Sequence, residues 1–257
     1  RLQNGKEFMQ KYHPMGSLAP RDVVARSIDH ELKISGEEFV YLDITHKDPK
    51  EVMSHFPNIY KKCLSIGIDL TKDMIPVVPA AHYCCGGIKV NLNGESSIRR
   101  LYALGEASST GLHGGNRLAS NSMMEAAVYA DAAARHAISV IDSIELQRDI
   151  PAWDYEGTAV PEEMALITQD YKEMQQIMTN YVGIVRSDVR LERAKRRLEI
   201  IFKETEELYL KSTLSQHLCE LRNMIAVGYL IIKQAEARHE SVGLHYSIDY
   251  PAKPVEI

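Results

Sequence analysis

Gly111-Leu112-His113-Gly114-Gly115-Asn116-Arg117-Leu118-Ala119-Ser120-Asn121-Ser122 carries the chain from a glycine-rich loop into an alanine-rich helix. Glycine lets backbone approach a ligand closely and adopt turns that other residues resist. The helix, predicted from Ser120 or Ser122 to Ile144, opens on three residues competent as N-caps: Ser120, Asn121 and Ser122. Its free N–H groups and positive dipole end favour negative charge. Loop and helix start together predict a site for an anion, or for a cofactor that becomes anionic. A second reading stays open here, in which the glycines serve only tight packing. No G-x-G-x-x-G occurs, so a dinucleotide would be without its usual pyrophosphate turn.

Working outward, residues 82–150 hold this stretch together with Gly86, Gly87, Gly94 and Gly105, which punctuate β-like runs at 87–90 and 100–106. Residues 1–81 mix short elements. Pro20 opens a helical stripe of Val23, Val24, Ser27, Ile28 and Leu32 that Gly36 ends, a strand is predicted over 39–44, and a helix over 52–67. Residues 151–257 begin with a loop containing Pro151, Trp153, Gly157 and Pro161. Three apolar stripes at helical spacing follow, running from Met164 to Tyr181, Leu191 to Ile201 and Leu214 to Ile225, which predicts a small antiparallel bundle.

Composition narrows the function classes. The 257 residues are 45% hydrophobic and 25% charged, with a net charge of −5, the profile of a globular chain that is neither disordered nor built to coat nucleic acid or an anionic membrane. The longest apolar run, 224–232, is too short to span a bilayer. The chain starts at Arg1 with no apolar leader, so it reads as a piece of a longer chain without a secretory signal. Cys63, Cys84, Cys85 and Cys219 do not form a disulfide framework, which fits a reducing, cytoplasmic setting. His30, His239, His245 and the Cys84-Cys85 pair lack metal-ligand spacing, so no metal site is expected. Arg193, Lys195, Arg196 and Arg197 have acidic residues at helical spacing and read as a solvated face, not a nucleic-acid patch. Taken alone, His82 reads as a structural histidine. Arg21 sits at a helix start, where the dipole disfavours cations; either a functional task or a salt bridge to Asp22 or another carboxylate would explain it.

Five motifs in one order carry a resemblance: Leu18-Ala19-Pro20-Arg21-Asp22; Pro79-Ala80-Ala81-His82-Tyr83 with Cys85-Gly86-Gly87; Leu101-Tyr102-Ala103-Leu104-Gly105-Glu106; His113-Gly114-Gly115-Asn116-Arg117; and Ser120-Asn121-Ser122. They resemble the succinate dehydrogenase and fumarate reductase flavoproteins. Pro20, Pro79-Ala80-Ala81, Thr110-Gly111-Leu112 and Leu118-Ala119-Ser120-Asn121-Ser122 resemble the branch that oxidises L-aspartate. The ending at 237–245 and 249–251 resembles the family's C-terminal helical domain.

The resemblance implies an α+β fold: the remainder of a capping domain (1–81), the returning segment of an FAD-binding domain (82–150) and a C-terminal three-helix bundle (151–257). It implies FAD as cofactor, with Glu106 at its ribityl or ribose hydroxyls and the backbone at Ser122 and Met123 facing the isoalloxazine. Arg21, His82 and Arg117 would surround a dicarboxylate, L-aspartate or a fumarate-like acid, with Arg21 as proton donor or acceptor. The implied product is iminoaspartate, feeding quinolinate and NAD synthesis, with dioxygen or fumarate as acceptor and quinolinate synthase as a candidate partner. The family usually has Ala where Gly115 stands, a change expected to loosen the loop. The match reaches only the family's C-terminal half, so the chain alone is expected to hold no tight FAD and to be inactive. A succinate dehydrogenase or fumarate reductase segment, or a non-catalytic helical binding module, are the alternatives.

Overall fold

The computed structural model describes residues 1–161 and 163–251, and the last residues of the predicted bundle region, 252–257, lie outside the described residues. The chain divides into two units, Arg1–Ala81 and His82–Ile257. Helices and short strands mix in an α+β arrangement.

In the first unit, helix α1 (Arg21–Ser35) starts after Pro20, whose missing N–H costs nothing there, and ends at Gly36 with φ 75°. Ser27 is buried; Val23, Val24, Ile28 and Leu32 pack against Phe8, Met9, Ala19 and Val40. Strand β1 (Val40–Leu42) is shorter than the predicted 39–44 and pairs antiparallel with β2 (Ile75–Val77).

The single helix predicted over 52–67 is two helices, α2 (Pro49–His55) and α3 (Pro57–Leu64). Proline disfavours helical backbone in the residue before it, and Phe56 sits at φ −126°, ψ 50°, outside the helical region. Asp48 caps α2 by accepting from the N–H groups of Lys50 and Glu51.

In the second unit, β3 (Ile88–Lys89) runs parallel to β4 (Ser108–Ser109). Gly87 makes this approach possible, because a Cβ on it would fall 2.3 Å from the Ala107 carbonyl oxygen. The strand predicted at 100–106 is reduced to one bridge, Tyr102 to Glu95, before Gly105 turns the chain at φ 61° into a short 3-10 segment, Gly105–Ala107. Helix α4 (Asn121–Ile141) follows the glycine loop and ends short of the predicted Ile144.

Helices α5 (Ala165–Ile177), α6 (Asp188–Lys211) and α7 (Gln216–Glu236) share one core. Leu191, Ala194, Leu198 and Ile201 face Leu218, Leu221, Ile225 and Ile232, with Ile167 and Met174 completing the layer. Ser187 and Ser215 cap α6 and α7 through their side chains. Leu214, expected on the α7 stripe, precedes that cap and stays 36% exposed. Strand β5 (Val185–Arg186) pairs in parallel with β6 (Tyr246–Ser247), returning the tail to the start of α6.

The basic stretch behaves as its spacing predicts. Arg196 pairs with Glu192 at 4.0 Å, Lys203 with Glu199 at 3.1 Å and Lys211 with Glu207 at 3.7 Å, each one helical turn away, while Lys195 reaches Glu236 at 2.9 Å and Arg197 reaches Glu173 at 3.5 Å on neighbouring helices. Among the described residues no helix is long and apolar enough to cross a membrane. None of their His, Cys, Asp and Glu side chains form a group able to hold a metal ion.

Candidate functional site

The loop ahead of α4 is built around a side-chain relay. Glu125, on the second turn of α4, is buried. Its Oε1 accepts from the Thr110 hydroxyl and its Oε2 faces His113 Nε2 at 2.6 Å. A carboxylate oxygen accepts only, so Nε2 carries the proton. The other ring nitrogen, Nδ1, is buried and has no hydrogen-bond partner among the described residues. Tyr83 meets the His113 ring edge-on at 5.4 Å between centroids. The Arg117 guanidinium lies over the Tyr83 ring, with Cζ 4.2 Å from its centroid.

Arg117 Nη1 donates to the Ala119 carbonyl at 3.1 Å and to the Ser122 hydroxyl at 2.5 Å. Arg117 is half-buried and has no carboxylate partner among the described residues. A half-buried cation so placed is suited to an incoming anion. Burial pushes the Tyr83 phenol above its ordinary value of 10.0, and the charges of Glu125 and Glu106 add to this against Ser122 and Arg117.

Three competent caps stand at the start of α4, yet none caps it. Ser120 takes the N-cap position with no side-chain cap bond, and the Ser122 hydroxyl is engaged by Arg117. Of the first-turn N–H groups, those of Asn121 and Ser122 bond to the Leu118 and Ala119 carbonyls at 3.0 and 3.5 Å, so capacity for an anion or a reduced ring system rests on the donors that follow them. Met123, beside them, is 79% exposed. Glu106, also exposed, accepts from the Cys84 N–H at 2.9 Å. Gly111 and Gly114, with φ of 88° and 54°, have nothing within 4 Å of an added Cβ. An uncapped helix start, an exposed carboxylate and open glycine backbone fit the hydroxyl chain and electron-accepting ring of FAD.

Gly115 bears on the expectation that its lack of a side chain loosens the loop. Its carbonyl accepts from the Leu244 N–H at 2.8 Å, which ties the loop to the tail of the helical region. A Cβ there would meet the Val242 carbonyl oxygen at 3.2 Å and Gly243 Cα at 3.4 Å. The glycine thus admits a close seat for the 242–245 turn.

The remaining predicted residues divide between the units. His82, exposed, directly precedes Tyr83 and so shares a strand of backbone with the Arg117 platform. Arg21 belongs to the first unit, where its Nη2 donates to the carbonyls of Ser17 at 2.6 Å and Ala19 at 2.9 Å. The local salt bridge weighed for it is not formed, since Asp22 pairs with Arg26 at 2.7 Å.

Comparison with known proteins draws its boundary elsewhere than between Ala81 and His82. The FAD binding domain family matches residues 1–123, and the fumarate reductase flavoprotein C-terminal family matches residues 171–254. Among solved structures, the chain resembles a Mycobacterium smegmatis protein described as Sdh1 in complex with UQ1. The TM-score is 0.77 at 29% identity, over 98% of this chain and 45% of that one. It also resembles a quinol-fumarate reductase with menaquinol molecules, with a TM-score of 0.79 at 26% identity over 99% and 50% of the two chains. Fold and matches together define a class, the FAD-binding oxidoreductase flavoproteins.

Within that class the curated relatives are more specific. An L-aspartate oxidase of Pseudomonas aeruginosa is 47% identical over 251 residues, covering 98% of this chain and 47% of the relative. One of Yersinia pestis is 48% identical over 248 residues, covering 96% and 46%. Over nearly its whole length the chain is similar to the C-terminal portion of these L-aspartate oxidases, and it matches the FAD binding domain and fumarate reductase flavoprotein C-terminal families. It spans about half the length of the curated relatives it matches.

Proposed function

We propose that the whole protein is an FAD-dependent oxidase of L-aspartate and that this chain supplies much of its substrate-facing chemistry. The supporting observation is Arg117, a half-buried guanidinium seated on Tyr83 with no carboxylate partner among the described residues, at the motif position the family resemblance gives to substrate binding. Its fork would hold one carboxylate of the dicarboxylate, with His82 beside it. Fixing the carboxylate orients the Cα–H, and orientation alone contributes several kcal/mol in such reactions, roughly 7–11 at the extreme. L-aspartate then loses a hydride from Cα and a proton from its amino nitrogen, leaving iminoaspartate. FAD, when bound, supplies the hydride acceptor.

Glu106 would meet the cofactor's hydroxyl chain, and the backbone at Ser122 and Met123 its ring. The start of α4 would stabilise negative charge there, because its dipole is fixed before the reaction begins. Arg21 carries, by resemblance, the proton-transfer assignment and a second carboxylate. An ordinary guanidinium holds its proton at neutral pH, so that transfer would be transient. Dioxygen or fumarate would be the final acceptor. The product would feed quinolinate and NAD synthesis in the cytoplasm, with quinolinate synthase as the consuming partner.

The test uses the whole protein. L-aspartate should yield peroxide in the presence of dioxygen, and Arg117→Leu should lower kcat/KM by about 30-fold or more, the loss expected for a charged hydrogen-bond pair of roughly 2–3 kcal/mol. Oxidation of succinate in place of L-aspartate, or a variant with unchanged kinetics, would overturn the reading.

A further inference from the structure

We propose that Glu125 and His113 are positioning residues for Arg117, acting through the Tyr83 ring; this rests on the substrate-binding role given to Arg117 above. The contacts form a closed circuit that starts and ends on α4. Glu125 holds His113 at 2.6 Å, and His113 sets the edge of Tyr83. Tyr83 carries Arg117 on its face at 4.2 Å, and Arg117 returns to α4 through the Ser122 hydroxyl at 2.5 Å. Each member has few alternatives. The Glu125 and His113 side chains are only 1% and 7% exposed, so neither can swing to water. Both Glu125 oxygens are occupied, one by Thr110 and one by His113.

Burying a carboxylate is costly unless it is fully hydrogen-bonded, and Glu125 touches no arginine or lysine ion pair among the described residues. Its two bonds run to the loop that carries Arg117. A loop with left-handed glycines at Gly111 and Gly114 has wide backbone freedom. The buried pair removes that freedom at His113, between the two glycines, and the ring of Tyr83 transmits the constraint to the guanidinium plane. A bidentate fork depends on that plane, which a merely nearby charge does not.

The experiment measures succinate binding to the whole protein by calorimetry, alongside the melting temperature. Arg117→Leu should weaken binding at least tenfold. Glu125→Gln should weaken it by a similar factor, and the double variant should be no weaker than Arg117→Leu alone, because a positioning residue has nothing left to position. Tyr83→Leu should behave as Glu125→Gln does, and Tyr83→Phe, which keeps the ring, should restore binding. Tyr83, only partly buried, decides the matter if Glu125→Gln fails to fold. If Arg117→Leu binds succinate normally, this proposal falls together with the reading it rests on. If Arg117→Leu loses binding while Glu125→Gln and Tyr83→Leu retain it, or their losses add, the positioning role alone is overturned.

Discussion

Gly243 lies so close to Gly115 that a Cβ on it would come within 2.2 Å of the Gly115 carbonyl oxygen. The same oxygen accepts the Leu244 N–H at 2.8 Å, and Gly243 holds φ 59°, a backbone that L side chains resist. Two glycines far apart in sequence therefore fasten the tail of the helical region to the loop that carries Arg117. Order in the loop depends on a turn that contains none of its residues.

Gly243→Ala should consequently loosen the loop without touching it. The left-handed backbone alone costs about 1–2 kcal/mol, and the methyl must also push against main chain, which yields less readily than a side chain. Trypsin cleavage after Arg117 should accelerate severalfold, while Gly111→Ala, whose Cβ meets nothing within 4 Å, should pay only the backbone term. Equal proteolysis of wild type and Gly243→Ala would dissolve the coupling.

A second fastening of the same tail is sensitive to acid. His245 Nδ1 accepts from Arg186 Nη1 at 2.6 Å, which requires the neutral ring, whereas Nε2 donates to the Arg238 carbonyl at 3.1 Å, which either ring form can do. Burial, then the neighbouring Arg186 charge, hold His245 below its ordinary value of 6.5. A folded value below the unfolded one means the unfolded chain binds the proton first. The stabilisation is thus present above pH 6.5 and is lost as pH falls from there toward the folded value. His245→Gln, whose amide can both accept and donate, should show a flatter stability profile from pH 7 to 5 than wild type. Parallel profiles would mean that His245 does not titrate with unfolding.

How much of this was legible beforehand depended on whether the determining residues were close in sequence. Pro20 and Gly36 bound α1 by local backbone rules, and the stripes of α6 and α7 needed only periodicity. Pro57 was equally local, and the restriction it places on Phe56 was the available signal for the break between α2 and α3. The serine caps of α4 misled although the cause lies close by, since Arg117, five residues upstream, claims the Ser122 hydroxyl. Tyr83, His113 and Glu125 come from three separate stretches, so their relay had no local signature. The nearest signal was a lone acid, Glu125, on the alanine face of a helix, a place where a charge needs a partner. Arg21, His82 and Arg117 came as a set from motif resemblance, and no periodicity links them.

The helical core offers a quantitative check on the sequence-derived stripes. Leu198 and Leu218 are 1% and 0% exposed and belong to one apolar cluster, whereas Leu210, on the same helix as Leu198, is 73% exposed. Truncating a buried leucine removes its transfer free energy and leaves a cavity that close-packed neighbours fill only in part. Leu198→Ala and Leu218→Ala should each destabilise by about 2–5 kcal/mol. Leu210→Ala should stay within roughly 0.5 kcal/mol, since its side chain already meets water. In a domain of this size each kcal/mol moves the midpoint by about 2–4 °C, so thermal unfolding followed by circular dichroism separates the two classes clearly. A Leu210→Ala loss as large as that of Leu198→Ala would place a second packing surface on the outer face of α6, and an unchanged Tm for Leu218→Ala would remove α7 from the core.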